Sequence, residues 1–309
     1  MNGPDNTRAA LLMVGSMAAF AFEDLFLKRA AGSLPPGQVI ALLGFGGMVI
    51  FWIIAARIGQ PILTRAAVQP APLLRSLSEG GASMLYVTAL SLIPLTINSA
   101  LLQATPLIVT MGAALFLHEP VGWRRWSAIC VGFVGVLIIL RPGTEGFHWA
   151  GLLTVACVVL MSVRDLSTRM MPASIGTFQL TTWGYMSLVP AGLLLMLLQN
   201  TAPVGLDPKG SIDMGAALIT GLIGYYAVTA AMRMGEVSVV APFRYTRLVF
   251  AMTLAWMFLG ERPDLLTLIG SALVIASGLY TLWREALRKR RALASLASNQ
   301  PLGSPLKNG

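Results

Sequence analysis

The feature that most constrains this chain is a succession of apolar stretches, each about twenty residues long, running from residue 9 almost to the C-terminus. A segment of that length, wound as a helix, spans the hydrocarbon core of a bilayer. Ten spans are predicted, at roughly 9–29, 36–56, 72–92, 95–117, 123–140, 148–169, 175–198, 212–232, 238–259 and 264–283. Helix-breaking clusters separate them, among them Pro35-Pro36-Gly37, Glu119-Pro120, Arg141-Pro142-Gly143 and Arg262-Pro263. Spans 3 and 4 are parted by little more than Pro94, which predicts a tight helical hairpin. Charged residues make up only 11 % of the chain, too few to cover a water-facing surface, for which about 25 % is usual. The fold class is therefore an all-α polytopic membrane protein.

Several function classes fall away. Cys130 and Cys157 lie inside apolar spans and the two histidines, His118 and His148, at span ends, so no metal, haem, redox or disulfide set is readable and no cofactor is expected. The spans hold no Ser/His, paired-Asp or His-rich constellation, which argues against an enzyme. The net charge of +9 does not signal nucleic acid, because its basic residues sit in short loops and in the tail Arg284–Arg291. With the N-terminus in the cytoplasm, fifteen Lys and Arg fall on the cytoplasmic side and five opposite, the bias of the positive-inside rule. Both termini are thus predicted to be cytoplasmic, in a bacterial inner membrane. The first segment ends in Lys28 and Arg29 and reads as a retained span, not a cleaved leader. Trp123, Trp126, Trp149 and Trp283 near span ends suit the interfacial aromatic belt. Residues 285–309 read as a disordered basic cytoplasmic tail, drawn to anionic lipid.

An internal repeat reorganises this picture. Glu23-Asp24-Leu25 with Lys28 aligns with Arg164-Asp165-Leu166 and Arg169, and Gln38 with Gln179, at a spacing of 141 residues. Leu117-His118-Glu119 aligns with Leu259-Gly260-Glu261 at a spacing of 142. The two repeats are bounded at 9–141 and 148–284, five spans each. An odd number of spans starts the second copy from the other face, so the halves are inverted. Inverted repeats that rock around a midplane site are a device of secondary transporters. A channel would need a continuous polar stripe where this sequence shows clusters, and no phosphate-binding Gly-x4-Gly-Lys loop offers direct use of ATP.

Two five-helix halves, each with a Glu after its fourth span and glycines in its last (Gly132, Gly135; Gly270, Gly278), resemble the EamA-type members of the drug/metabolite transporter superfamily. The resemblance covers about residues 10–283. It implies a basket of helices around a central cavity built mainly by spans 1, 3, 4, 6, 8 and 9, with the last span of each half as scaffold. It also implies transport of a small polar or heterocyclic metabolite (a vitamin, an adenosyl compound, an amino-acid-like solute), inward or, as an exporter, outward. Span 9, Val239-Val240-Ala241-Pro242-Phe243-Arg244-Tyr245-Thr246-Arg247-Leu248, is similar to the subgroup assigned to riboflavin or S-adenosylmethionine uptake. Span 1 differs from many relatives, which carry a Trp near Phe20–Asp24.

Charges inside spans are the leading site candidates, since an ionisable residue at the bilayer centre costs about 2.5–3.5 kcal/mol on insertion scales and so faces a cavity or a partner. Asp24 and Lys28 share a helix face and can pair; with their mates Asp165 and Arg169, and with Arg164, they read as paired gates at opposite faces. Glu23 points away from Asp24 on the helix, so at least one of the two reaches the cavity, and Glu23 is taken as a candidate for substrate contact. Arg244 and Arg247, one turn apart after Pro242, need acidic partners such as Glu23 or Asp24, or an anionic solute. Tyr245, Gln103, Trp183 and Tyr225 are the uncharged candidates for substrate contact, an aromatic wall with polar anchors. The repeat mates of Arg244 and Arg247 are Leu102 and Thr105, and this asymmetry marks where a substrate is sought. Proton coupling through Glu23, Asp24 or Asp165 and simple exchange are both compatible with the sequence, as are a monomer and a homodimer.

Overall fold

The computed structural model describes residues 5–119, 121–172 and 174–298; among them every regular element is helical. The first half holds α1 (Asn6–Ala30), α2 (Pro36–Arg57), α3 (Pro70–Leu92), α4 (Leu95–Leu102), α5 (Thr105–Phe116) and α6 (Trp123–Leu140). The second holds α7 (Gly151–Arg169), α8 (Thr177–Leu198), α9 (Pro208–Met234), α10 (Val237–Val240), α11 (Thr246–Leu259) and α12 (Leu265–Ser298). Proline opens α2, α3 and α9, where its missing N–H has no helical partner to lose. Gly260 closes α11 at φ +68°, a left-handed conformation that suits glycine.

Among the described residues, eight helical stretches are long and apolar enough to cross a membrane, counting α4 and α5 as one. The other two predicted spans are less uniform: α3 carries Arg75 and Glu79, and the span 9 region is broken into α10, a 3₁₀ turn at Ala241–Tyr245 and α11. The span 4 region breaks too, at Gln103-Ala104, just before Pro106. The two breaks face each other. The Gln103 Nε2 donates to the carbonyl of Tyr245, the residue that caps the start of α11, at 3.1 Å.

The halves are interleaved. α1 packs on α9 and α3 on α7; α2 packs on α8 and α6 on α12; α1 meets α11 while α7 meets α4 and α5. Exchanging the halves maps this set of partnerships onto itself. Small residues permit the close crossings: a Cβ at Gly135 on α6 would lie 2.7 Å from the carbonyl oxygen of Gly270 on α12. The aligned glutamines behave alike as well. Gln38 exchanges two hydrogen bonds with the Val204 backbone (2.6 and 2.8 Å), ahead of α9, and Gln179 donates to Pro61 O (2.7 Å), ahead of α3.

Outward faces are apolar. Leu193, Leu194, Leu197, Ile219, Ile223 and Trp256 are all exposed, as expected where lipid replaces water. One expectation is corrected: α12 continues as helix to Ser298, so residues 285–298 are not an unstructured tail. No proline or glycine stands between Gly278 and Ser298 to stop the helix, which simply runs on. Residues 299–309 lie outside the described residues.

Candidate functional site

A cavity of about 470 Å³ opens between the halves. Repeat mates line it in pairs: Phe20 with Met161, Glu23 with Arg164, and Asp24 with Asp165 at the 141-residue spacing, then Ser83 with Tyr225, Tyr86 with Val228, and Leu102 with Arg244 at 142. Ile40 and Leu43 of α2, and Thr181, Gly184, Tyr185 and Leu188 of α8, complete the wall, so the second helix of each half contributes beyond the six spans that the family resemblance implied.

Two charged clusters occupy this cavity. In the first, Arg247 of α11 grips the Asp24 carboxylate of α1 with both faces of its fork, Nε to Oδ2 at 3.0 Å and Nη2 to Oδ1 at 2.8 Å. Such bidentate pairs combine charge with fixed geometry. Tyr86 of α3 donates to the same carboxylate at 2.6 Å, and the Phe20 ring lies 5.2 Å from the Arg247 guanidinium carbon. Asp24 is 1 % exposed, so its charge depends on these partners. Of the sequence alternatives for Arg247, the internal acid is the one found. Glu23 lines the cavity next to this pair, and its carboxylate fills a notch at Gly221, where a Cβ would come within 2.5 Å of Oε1.

In the second cluster Arg164 of α7 holds Asp165 (Nε–Oδ1 2.9 Å) and Glu79 of α3 (Nη1–Oε1 3.0 Å). Arg75 approaches Glu79 at 3.6 Å, and donates to Thr168 Oγ1 and to Leu180 O at 3.1 Å each. Arg244, on the 3₁₀ turn, lines the same cavity. Among the described residues, neither the Arg244 guanidinium nor the Glu23 carboxylate takes part in a hydrogen bond or ion pair.

The structure redistributes the sequence candidates. Glu23, Asp24, Arg164, Asp165, Tyr225, Arg244 and Arg247 meet in the cavity. Asp24 and Lys28 do not pair. Lys28 donates instead to Leu90 O (2.6 Å) and Ile93 O (2.7 Å), because the C-terminal carbonyls of α3 have no helical donors of their own. Asp165 pairs with Arg164, its neighbour in sequence; the side chain of Arg169 lies outside the described residues. Three uncharged candidates are not among the residues that line this cavity. Gln103 fastens the two helix breaks, and Tyr245 is buried against Gly278 of α12. Trp183 is buried beside Ala55 and donates to Ile62 O at 2.9 Å. Tyr225 lines the cavity, bonded to Thr181 and packed edge-on against Phe51 at 5.4 Å.

Arg75, Glu79, Tyr86 and Tyr185 are site residues that sequence reasoning passed over. The signal for two of them was present. Arg75 and Glu79 stand four apart in an apolar span, an i, i+4 ion pair pointing at a cavity. Tyr86 and Tyr185 carried no comparable signal, since tyrosine in a span is as often a packing residue.

Comparison with known proteins gives this arrangement a context. The profile of the EamA-like transporter family matches residues 7–141 and 148–283. The chain is 30 % identical to the riboflavin transporter of Rhizobium johnstonii over 207 residues, 67 % of this chain and 68 % of that one. It is 26 % identical to the S-adenosylmethionine uptake transporter of Rickettsia felis over 65 % of this chain and 67 % of the relative. It is also 25 % identical to the pseudopaline exporter CntI of Pseudomonas aeruginosa, over 86 % of this chain and 93 % of the relative. A crystal structure with 21 % identity, covering 91 % of this chain and 99 % of its own, superposes with a TM-score of 0.62, a likeness of fold alone.

Proposed function

This chain belongs to the EamA-like transporter family, and from that premise we propose that it is a secondary transporter moving a small polar or heterocyclic organic metabolite across the bacterial inner membrane by alternating access. The observation that carries the reading is the cavity between the halves, lined by repeat mates and crossed by the Asp24–Arg247 pair, which joins one half to the other. A cavity of about 470 Å³ suits a metabolite far better than an ion, with aromatic and aliphatic walls and few polar anchors. Relatives bear the names of riboflavin and S-adenosylmethionine uptake proteins and of an exporter, so either direction fits the same cavity.

In this reading all ten helical stretches cross the membrane and the halves are inverted, with both termini cytoplasmic. The exchange of packing partners between halves and the fifteen-to-five distribution of basic residues support it. The second cluster is then the gate nearer the cytoplasm. Arg164 of one half, held by its neighbour Asp165, binds Glu79 of the other, Arg75 reaches Thr168 and the Leu180 carbonyl across the same seam, and opening requires that these cross-half bonds part. The basic residues of the segment 284–291 are drawn to the anionic leaflet, at about 1 kcal/mol each near the surface.

Counterflow in proteoliposomes tests the function: vesicles loaded with unlabelled riboflavin, S-adenosylmethionine or an amino acid should accumulate the matching labelled solute. No accumulation across the panel sinks the reading. A charge exchange at Glu79 and Arg164 that restores the transport lost by either single reversal supports the gate, and failure to rescue refutes it.

A further inference from the structure

The repeat makes it possible to ask which cavity charges have a counterpart and which do not. Eight ionisable side chains line the cavity, four basic (Arg75, Arg164, Arg244, Arg247) and four acidic (Glu23, Asp24, Glu79, Asp165). Acidic and basic groups are thus equal in number, but they are unevenly divided. Around α1 and α11, Arg247 is satisfied by Asp24, which leaves the charge of Glu23 over. Around α3 and α7, Arg75 and Arg164 are balanced by Glu79 and Asp165, which leaves that of Arg244 over.

Both surplus charges stand where the two halves differ. At the 142-residue spacing Glu79 corresponds to Gly221, and Glu23 is the mate of Arg164. At one contact between the halves Glu79 therefore meets Arg164; at its repeat-related counterpart Gly221 meets Glu23, and the glycine supplies space and no counter-charge. Arg244 likewise stands where the first half has the apolar Leu102. A charge without a partner is costly in proportion to its burial, more for the half-buried Glu23 than for the exposed Arg244. A solute that brings the two missing partners removes both costs at once.

Resting on the transport reading above, we propose that Glu23 and Arg244 are the two poles of a zwitterion site: the Glu23 carboxylate at the Gly221 notch takes the solute's ammonium group, and Arg244 takes its carboxylate. Phe20, Tyr86, Tyr185 and Tyr225 lie along the same wall and receive an aromatic or otherwise apolar body. A cavity whose acidic and basic groups are equal in number but whose poles are separated selects against solutes with a single net charge, which leave one pole uncompensated, and gains less from a neutral heterocycle.

The test uses the full-length protein in proteoliposomes, with labelled L-phenylalanine, phenethylamine, 3-phenylpropionate and riboflavin as the probes. The zwitterion is expected to be taken up in counterflow at least tenfold better than the analogues lacking one charge. Glu23→Gln is expected to abolish the preference for L-phenylalanine over 3-phenylpropionate, and Arg244→Gln the preference over phenethylamine. Where Glu23→Gln fails to fold, the pair Glu23→Arg with Gly221→Glu, which copies the Arg164–Glu79 contact into the other half, is expected to fold and to lose the preference. Riboflavin moving as well as or better than L-phenylalanine, or discrimination surviving both single variants, overturns the inference and leaves the transport reading standing. No movement of any probe, nor of the wider panel above, overturns both.

Discussion

Replacing Asp24 by Asn and Arg247 by Gln, singly and together, isolates the contact that joins the halves. Asp24 is 1 % exposed at its side chain and Arg247 21 %, with N–O distances near 2.8–3.0 Å. At an effective dielectric of about 20, unit charges 4 Å apart interact by about 4 kcal/mol. Removing one partner of a buried pair costs about 3–5 kcal/mol, since the other charge is left behind. Asp24→Asn keeps an oxygen for the Tyr86 hydroxyl and should fall near the low end of that range. Arg247→Gln leaves Asp24 and Glu23 as adjacent acids in sequence and cavity, and should reach the high end. The double variant strands no charge and should cost less than Arg247→Gln alone. The coupling energy should then be at least about 2 kcal/mol, measured as a double-mutant cycle of SDS-driven unfolding in mixed micelles. Single effects that add to the double within about 0.5 kcal/mol would refute the claim that the pair is closed in a low-dielectric wall.

Gln103→Leu should cost about 0.5–1.5 kcal/mol by removing its bond to the Tyr245 carbonyl, while leaving solute preference in counterflow unchanged; an altered preference would return Gln103 to the cavity. Gly135→Leu forces side-chain bulk against the Gly270 backbone, so the melting temperature should drop by an amount matching an overpacking cost of about 1–3 kcal/mol. At the α12 start, slight burial pushes the Asp264 carboxyl up, but hydrogen bonds from Thr267 and the Arg141 guanidinium outweigh it and hold it below the usual range. A lowered folded-state pKa contributes stability above the unfolded value, near 3.9, and loses it as pH falls through the folded value. Asp264→Asn should therefore flatten the acid limb of a stability–pH curve below about pH 4 and cost little change in its shape above pH 6.

What could be read from the sequence follows the range of the forces involved. The helical stretches were legible because twenty apolar residues in a row have few alternatives in a bilayer, and the repeat because duplicated positions keep their spacing. Partner choice was not. Asp24 and Lys28 satisfy every local rule for an i, i+4 pair, yet each is claimed by a stronger distant group, Asp24 by the Arg247 fork and Lys28 by the bare carbonyls of α3. Distances between helices decide such contests, and spacing along one helix does not encode them. Trp183 misled for a related reason: its indole N–H needed an acceptor, and the acceptor stood in a loop, at Ile62, and not in the cavity. The end of α12 went unread because a run of Arg, Lys, Ala and Leu is both tail-like in charge and strongly helix-forming.

The reciprocal glutamine bonds set a rule for how this molecule can move. Gln38 hangs the loop ahead of α9 from the first half's second helix, and Gln179 hangs the loop ahead of α3 from the second half's. Each half thus carries a piece of the other like a passenger. In the inverted, rocking arrangement proposed above, a tilt of one half would drag the neighbour's loop along at one end of the bundle and be resisted by the opposite tether at the other. The two rims are geared together, and a state with both mouths wide open would have to break at least one of these tethers.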